Sequence, residues 1–144
     1  MISFQNLDVA FSLKRKSLIK KWIKLAVDDY KMSVCDLAFI FTNDENIIKI
    51  NQKYLQHDYY TDVITFDYST DKCIGGDIFI SIDTVSYNAK KYSFTFEEEL
   101  HRVMIHGVLH LLGFEDKDEQ SQKNMRSLED KYLKILENLI DELR

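Results

Sequence analysis

The chain has 144 residues, 45% apolar and 30% charged, with a formal net charge of −5. A chain of this length buries a core without covalent or metal staples, and its acidic balance argues against a protein that coats nucleic acid by bulk charge. No apolar run approaches the roughly 18 residues that cross a bilayer, and Met1–Asp8 lacks the basic and apolar regions of a signal peptide, so a cytoplasmic protein with no membrane partner is expected.

Proline is absent and glycine occurs four times. No linker, repeat or low-complexity stretch divides the chain, which predicts one domain over residues 1–144. Ile2–Asn6 reads as a short edge strand. From Lys14 to about Tyr30, Leu18, Ile19, Trp22, Ile23, Ala26 and Tyr30 recur at helical spacing. The cations of this stretch, Lys14, Arg15, Lys16, Lys20, Lys21 and Lys24, read as its solvated side. Asp36–Thr42 is a predicted buried strand, after which Asn43 or Asp44 caps a helix carrying Ile47, Ile48 and Ile50. Val63–Tyr68 and Asp77–Ile82 are rich in β-branched and aromatic residues and read as strands. Gly75 and Gly76 stand before the second, where a bend or bulge needs them. Cys35 and Cys73, far apart in sequence, read as reduced thiols with a packing role.

Asp83–Tyr92 is a predicted helix. Thr95 and Glu98 then fit a capping box, with Glu97, Glu98 and Glu99 at the positive end of the helix dipole. The segment that follows, Leu100–Leu112, is apolar on nearly every side and belongs in the interior. Gly113 ends it in a position that tolerates a left-handed backbone. A last amphipathic helix, about Asp118 to Leu139, shows Met125, Leu128, Tyr132, Ile135, Leu136 and Leu139 on one side. Helix and strand alternate, which predicts an α+β fold: a mixed sheet of about four strands covered by helices, with a buried central helix.

That central helix carries His106 and His110 where its pattern asks for hydrophobes. Residues four apart leave the same face with Cβ atoms roughly 6 Å apart, and two imidazoles so placed can meet on one ion. Gly107 offers no side chain, so another element can approach closely. Beyond Gly113 the acidic run Glu115, Asp116, Asp118 and Glu119 can fold back and complete a three-ligand site with an open position. His57 and His101 lack such spacing and read as solvated or packed residues.

The segment from His106 to Asp116, His-Gly-Val-Leu-His-Leu-Leu-Gly-Phe-Glu-Asp, resembles the His-Gly-x-Leu-His-Leu-x-Gly-Tyr-Asp-His signature of the YbeY family. Asn51 and Tyr54, with Thr61-Asp62-Val63-Ile64-Thr65-Phe66, are similar to the family's Asn-x-x-Tyr/Phe-Arg and Pro-Thr-Asp-Val-Leu-Ser-Phe segments, and Gly76-Asp77-Ile78-Phe79-Ile80-Ser81 is similar to its Gly-Asp-Ile-x-Ile-Ser strand. The resemblance implies a zincin-like metal-dependent hydrolase domain. It implies a single-strand endoribonuclease of ribosomal RNA maturation and ribosome quality control, with one Zn2+ per chain. Single-stranded or ribosomal RNA and the small ribosomal subunit or its proteins are the implied partners. The family's third metal histidine falls on Asp116, so His106, His110 and Asp116 are the expected ligands. A carboxylate is an acceptable zinc ligand, although its charge lets harder divalent ions compete better. Leu55 stands where the family usually has an arginine implicated in function, and a leucine cannot bind phosphate. Tyr60 stands in place of the proline before Thr61 and Asp62.

Arg102 lies one turn before His106 on the same helix face. It is a candidate catalytic residue, clamping phosphate bidentately, or else a partner of Glu98. Asp62 and Asp77 read as structural groups that buttress the site or cap backbone. Two other function classes compete. A metallopeptidase would use the glutamate of His-Glu-x-x-His as its base, and Gly107 occupies that position. A non-catalytic ribosome-assembly factor would use the metal only to brace the fold.

Overall fold

A computed structural model describes residues 1–55 and 62–144. The readings of the Leu55 side chain, His57, Tyr60 and Thr61 lie outside the described residues. In chain order the elements are β1 (Ile2–Asn6), α1 (Lys16–Asp28), β2 (Ser33–Thr42), α2 (Asp44–Ile50) running into a π-helical turn (Asn51–Leu55), β3 (Val63–Asp67), β4 (Cys73–Ser81), α3 (Ile82–Lys91), α4 (Phe96–Leu111) and α5 (Glu119–Glu142). The sheet order is β1-β2-β4-β3. Strands β1, β2 and β4 run parallel, and β3 is antiparallel to β4. This is the mixed four-stranded α+β sheet that the alternation of elements predicts.

Period-two alternation sets the faces of the sheet. Leu37, Phe39 and Phe41 of β2 pair in register with Gly76, Ile78 and Ile80 of β4, and the apolar members are fully buried. Helices α1 and α4 pack on these strands. Trp22 of α1, fully buried, donates its indole N–H to the Tyr132 carbonyl of α5 at 2.7 Å. A buried indole needs such a partner, and this one ties the first helix to the last.

Helix α4 forms where the capping signal places it. Thr95 Oγ1 accepts from the Glu98 amide at 3.1 Å, and Glu98 Oε1 accepts from the Thr95 amide at 2.9 Å. At the other end Gly113 has φ +103°, and the Phe114 amide reaches back to the Leu109 carbonyl at 3.0 Å. A left-handed residue with a six-to-one hydrogen bond closes the helix and satisfies one of its terminal carbonyls.

Several boundaries move. Strands β2 and β4 begin at Ser33 and Cys73, earlier than the predicted Asp36 and Asp77, because parallel pairing continues through Ser33–Cys73 and Val34–Ile74 before an irregularity between Val34 and Leu37. Gly75 and Gly76 therefore lie inside β4, not ahead of it. Helix α1 begins two residues late, after Arg15 in a left-handed conformation at φ 58°. The reading of Cys35 and Cys73 as reduced thiols is corrected. Adjacent parallel strands bring them to a Cα–Cα distance of 5.5 Å, joined as a disulfide. Among the described residues no helix is long and apolar enough to cross a membrane.

Candidate metal centre

His106 and His110 project from one face of α4, each partly buried, and their Nε2 atoms stand 2.9 Å apart. The turn at Gly113 brings the following loop back over them. Asp116 Oδ2 lies 3.4 Å from His106 Nε2 and 3.6 Å from His110 Nε2. Contacts beyond α4 help to hold the loop: the Phe114 ring packs edge-on against Tyr30 at 5.2 Å between centroids, and the Gln122 side chain donates to the Asp116 carbonyl at 3.1 Å.

The triangle of donor atoms fits one ion. Tetrahedral zinc at about 2.0–2.1 Å from each ligand needs donor atoms roughly 3.3 Å apart. The three edges here straddle that value, and these three residues form a group that could hold a metal. The ring orientations agree. His106 Nδ1 meets the Glu129 carboxylate at 2.6 Å, and His110 Nδ1 meets the Phe114 carbonyl at 2.9 Å. Both partners are acceptors, so each Nδ1 carries the hydrogen and each Nε2 can turn a lone pair towards the same point.

The electrostatics also favour a positive charge at this point. Burial opposes charge on His106, but its hydrogen bond to Glu129, with the charges of Glu129, Asp116 and Asp62, lifts its pKa above the ordinary value. Burial and the neighbouring His106 push His110 below it. The two rings shift in opposite directions, and a divalent cation at this point would meet the field of the Glu129, Asp116 and Asp62 carboxylates.

The cluster opens into a cavity of about 830 Å3 between α4, α5, α3 and the β3 edge. Asp62 and Glu99 line it, and burial raises the pKa of both carboxyls. Asp62, read from sequence as structural, therefore faces the cavity. Asp77 does not, and it accepts from the Tyr68 hydroxyl at 3.4 Å. Arg102 also lines the cavity, but both of its terminal nitrogens are engaged: Nη1 with Glu129 at 2.9 Å and Nη2 with Asp130 at 2.7 Å. Glu98, the alternative partner, is occupied by the capping box. His101 lies away from the cluster, packed against Trp22 at 6.1 Å between ring centroids, as a core residue.

Sequence reading missed Glu129 as a partner of the cluster and Arg126 as a residue lining the cavity. Glu129 carried a signal, since it stands on the apolar stripe of α5 between Met125 and Tyr132 and is itself buried. A buried carboxylate needs a partner, and the nearest unexplained polar groups were the two histidines. Arg126 gave no comparable signal, being an exposed arginine on an amphipathic helix.

A sequence model of the family described as "Endoribonuclease YbeY" matches residues 1–137. The chain is 43% identical over 135 residues to a protein named endoribonuclease YbeY from Parabacteroides distasonis, covering 94% of this chain and 95% of that one. It is 44% identical over 136 residues to the protein of the same name from Phocaeicola vulgatus, covering 94% and 99%. The fold matches the solution structure of TM1509 from Thermotoga maritima with a TM-score of 0.69 at 26% identity, over 99% of this chain and 93% of the other. With the His-His-Asp cluster where the sequence signature puts it, and a family match spanning nearly the whole chain, the protein belongs to the YbeY endoribonuclease family.

Proposed function

We propose that the chain is one metal-dependent hydrolase domain over residues 1–144 that cleaves single-stranded RNA, with His106, His110 and Asp116 holding one divalent ion. Zinc is the ion that two imidazoles and a carboxylate suit best. Ribosomal RNA is the proposed substrate, the small ribosomal subunit or its proteins the proposed partner, and the cytoplasm the proposed location. The ribosomal assignment is supported by the sequence resemblance to a family of ribosomal RNA maturation factors. The observation that carries the catalytic reading is the convergence of three donor atoms in the lining of a cavity of about 830 Å3.

When bound, a divalent ion supplies Lewis-acid polarisation of a phosphoryl oxygen and acidifies a water. The chain does the rest. Glu129 and the Phe114 carbonyl orient the two rings. Asp62 keeps a proton to higher pH than a solvated carboxyl does, which suits donation to a leaving oxygen. Arg102 is held by two carboxylates, and its proposed role is to fix Glu129 rather than to meet substrate. Gly107, at the position of a peptidase base, packs against Ile78 and can accept no proton.

The test is cleavage of single-stranded RNA by protein stripped with a chelator and then restored with zinc, manganese or magnesium, beside the His110→Ala variant. Activity should return only with metal and only in the parent protein. Fully metallated protein that leaves every RNA intact but still binds ribosomal particles would favour the assembly-factor reading instead.

A further inference from the structure

The walls of the cavity are acidic. Among the described residues lining it, Asp62, Asp67, Glu99, Asp116 and Glu129 face only two cationic side chains, Arg102 and Arg126. A phosphodiester entering such a cavity meets like charge on most sides, so a cation beside the metal cluster is needed to seat it. Arg102 is spent on Glu129 and Asp130. Arg126 differs: it is exposed and, among the described residues, makes no hydrogen bond or ion pair.

Its position is set by α5. Gln122, Arg126 and Glu129 follow one another at spacings of four and three, which puts them on one face of the helix. Glu129 meets the His106 ring from that face, and Gln122 holds the Asp116 loop. Arg126 thus stands on α5 between two residues that touch the metal cluster.

We infer that Arg126 binds a phosphate of the RNA strand at the mouth of the metal cavity. A guanidinium presents paired N–H donors that match two phosphate oxygens, and its charge offsets a small part of the burial that raises the Glu99 carboxyl. The inference rests on the endoribonuclease reading and names the residue that seats its substrate.

The experiment compares zinc-loaded parent protein with Arg126→Gln, Arg126→Lys and the surface control Lys123→Gln. Lys123 pairs with Glu119 on the solvated side of α5 and does not line the cavity. The probe is a short fluorescein-labelled single-stranded RNA with 2′-O-methyl riboses, followed by anisotropy over a salt series. Arg126→Gln should bind about tenfold more weakly, and its log–log salt slope should be shallower by about 0.7, the value for one lost phosphate contact on a single strand. Zinc content should not change. Arg126→Lys should restore the slope but only part of the affinity, and Lys123→Gln should match the parent. If the parent binds RNA while Arg126→Gln keeps its affinity and slope, the inference fails and the endoribonuclease reading stands. If zinc-loaded parent protein neither binds nor cleaves RNA, both fail together.

Discussion

Glu129 Oε2 lies 2.6 Å from His106 Nδ1, on a buried carboxylate whose other oxygen is 2.9 Å from Arg102 Nη1. The contact crosses from α5 to α4 and fixes which nitrogen of His106 carries the hydrogen. It also raises the basicity of the ring, which strengthens Nε2 as a donor to a metal. Glu129→Gln keeps a carbonyl acceptor for the ring but removes the charge. Zinc affinity should fall by about 10–100-fold, read by competition against a chelator of known affinity, while the far-ultraviolet circular dichroism stays that of the parent. Unchanged affinity would make Glu129 a partner of Arg102 alone.

Asp116 is the one proposed ligand outside α4, carried by a loop whose fold depends on Gly113 and the Tyr30–Phe114 contact. Asp116→Ala should cost more zinc affinity than the ~10–100-fold expected of an outer-shell change, because a donor atom itself is lost. Asp116→His should keep stoichiometric zinc by elemental analysis. An Asp116→Ala protein that retains one tightly held zinc per chain would remove Asp116 from the ligand set.

Much of this architecture was legible in the chain, and the illegible parts share a cause. Helices and strands showed themselves because their burial faces repeat at 3.6 or 2 residues, and the ends of α4 showed themselves in Thr95, Glu98 and Gly113. The histidine pair was readable because one helix carries both. Contacts between elements were not. The meeting of Cys35 with Cys73 follows from the order β2-β4 and their register, which local pattern does not encode. For Arg102 the local pattern offered a phosphate or Glu98 on its own helix, whereas packing gave it Glu129 and Asp130 from α5. Glu99 looked like one of three dipole-stabilising glutamates, yet the orientation of α4 turns it into the cavity.

Gly107 lets α4 rest directly on β4. A Cβ at this position would stand 2.9 Å from Ile78 Cγ2 and 3.0 Å from its Cδ1, and Ile78 is fully buried. Alanine gains about 1 kcal/mol of helix propensity over glycine, but overpacking costs about 1–3 kcal/mol. Gly107→Ala should therefore destabilise by about 1 kcal/mol in urea unfolding. Ile78→Val trims the crowding, so it should cost less in the Gly107→Ala background than in the parent, with a coupling of at least about 0.5 kcal/mol. Strict additivity of the two changes would show that the helix lifts from the sheet without meeting Ile78.

His101 supplies the clearest pH dependence outside the metal cluster. Burial pushes its pKa down to about 4, with Glu97 and Glu98 pulling upward and Arg15 adding to the depression. Well above its ordinary value of 6.5 the ring is neutral in both the folded and the unfolded chain, and stability does not depend on it. As pH falls through 6.5 the unfolded chain takes up a proton that the folded protein refuses until about pH 4, so stability is lost across that window. By about pH 5 the loss from this one group should reach roughly 2 kcal/mol. His101→Phe keeps an aromatic ring against Trp22 and cannot titrate. Acid-driven loss from the carboxylates is common to both proteins, so the difference between their urea-unfolding free energies isolates His101. That difference should move by roughly 2 kcal/mol in favour of the variant between about pH 7.5 and about pH 5. A difference that stays constant with pH would mean that the folded protein protonates His101 as readily as the unfolded chain does.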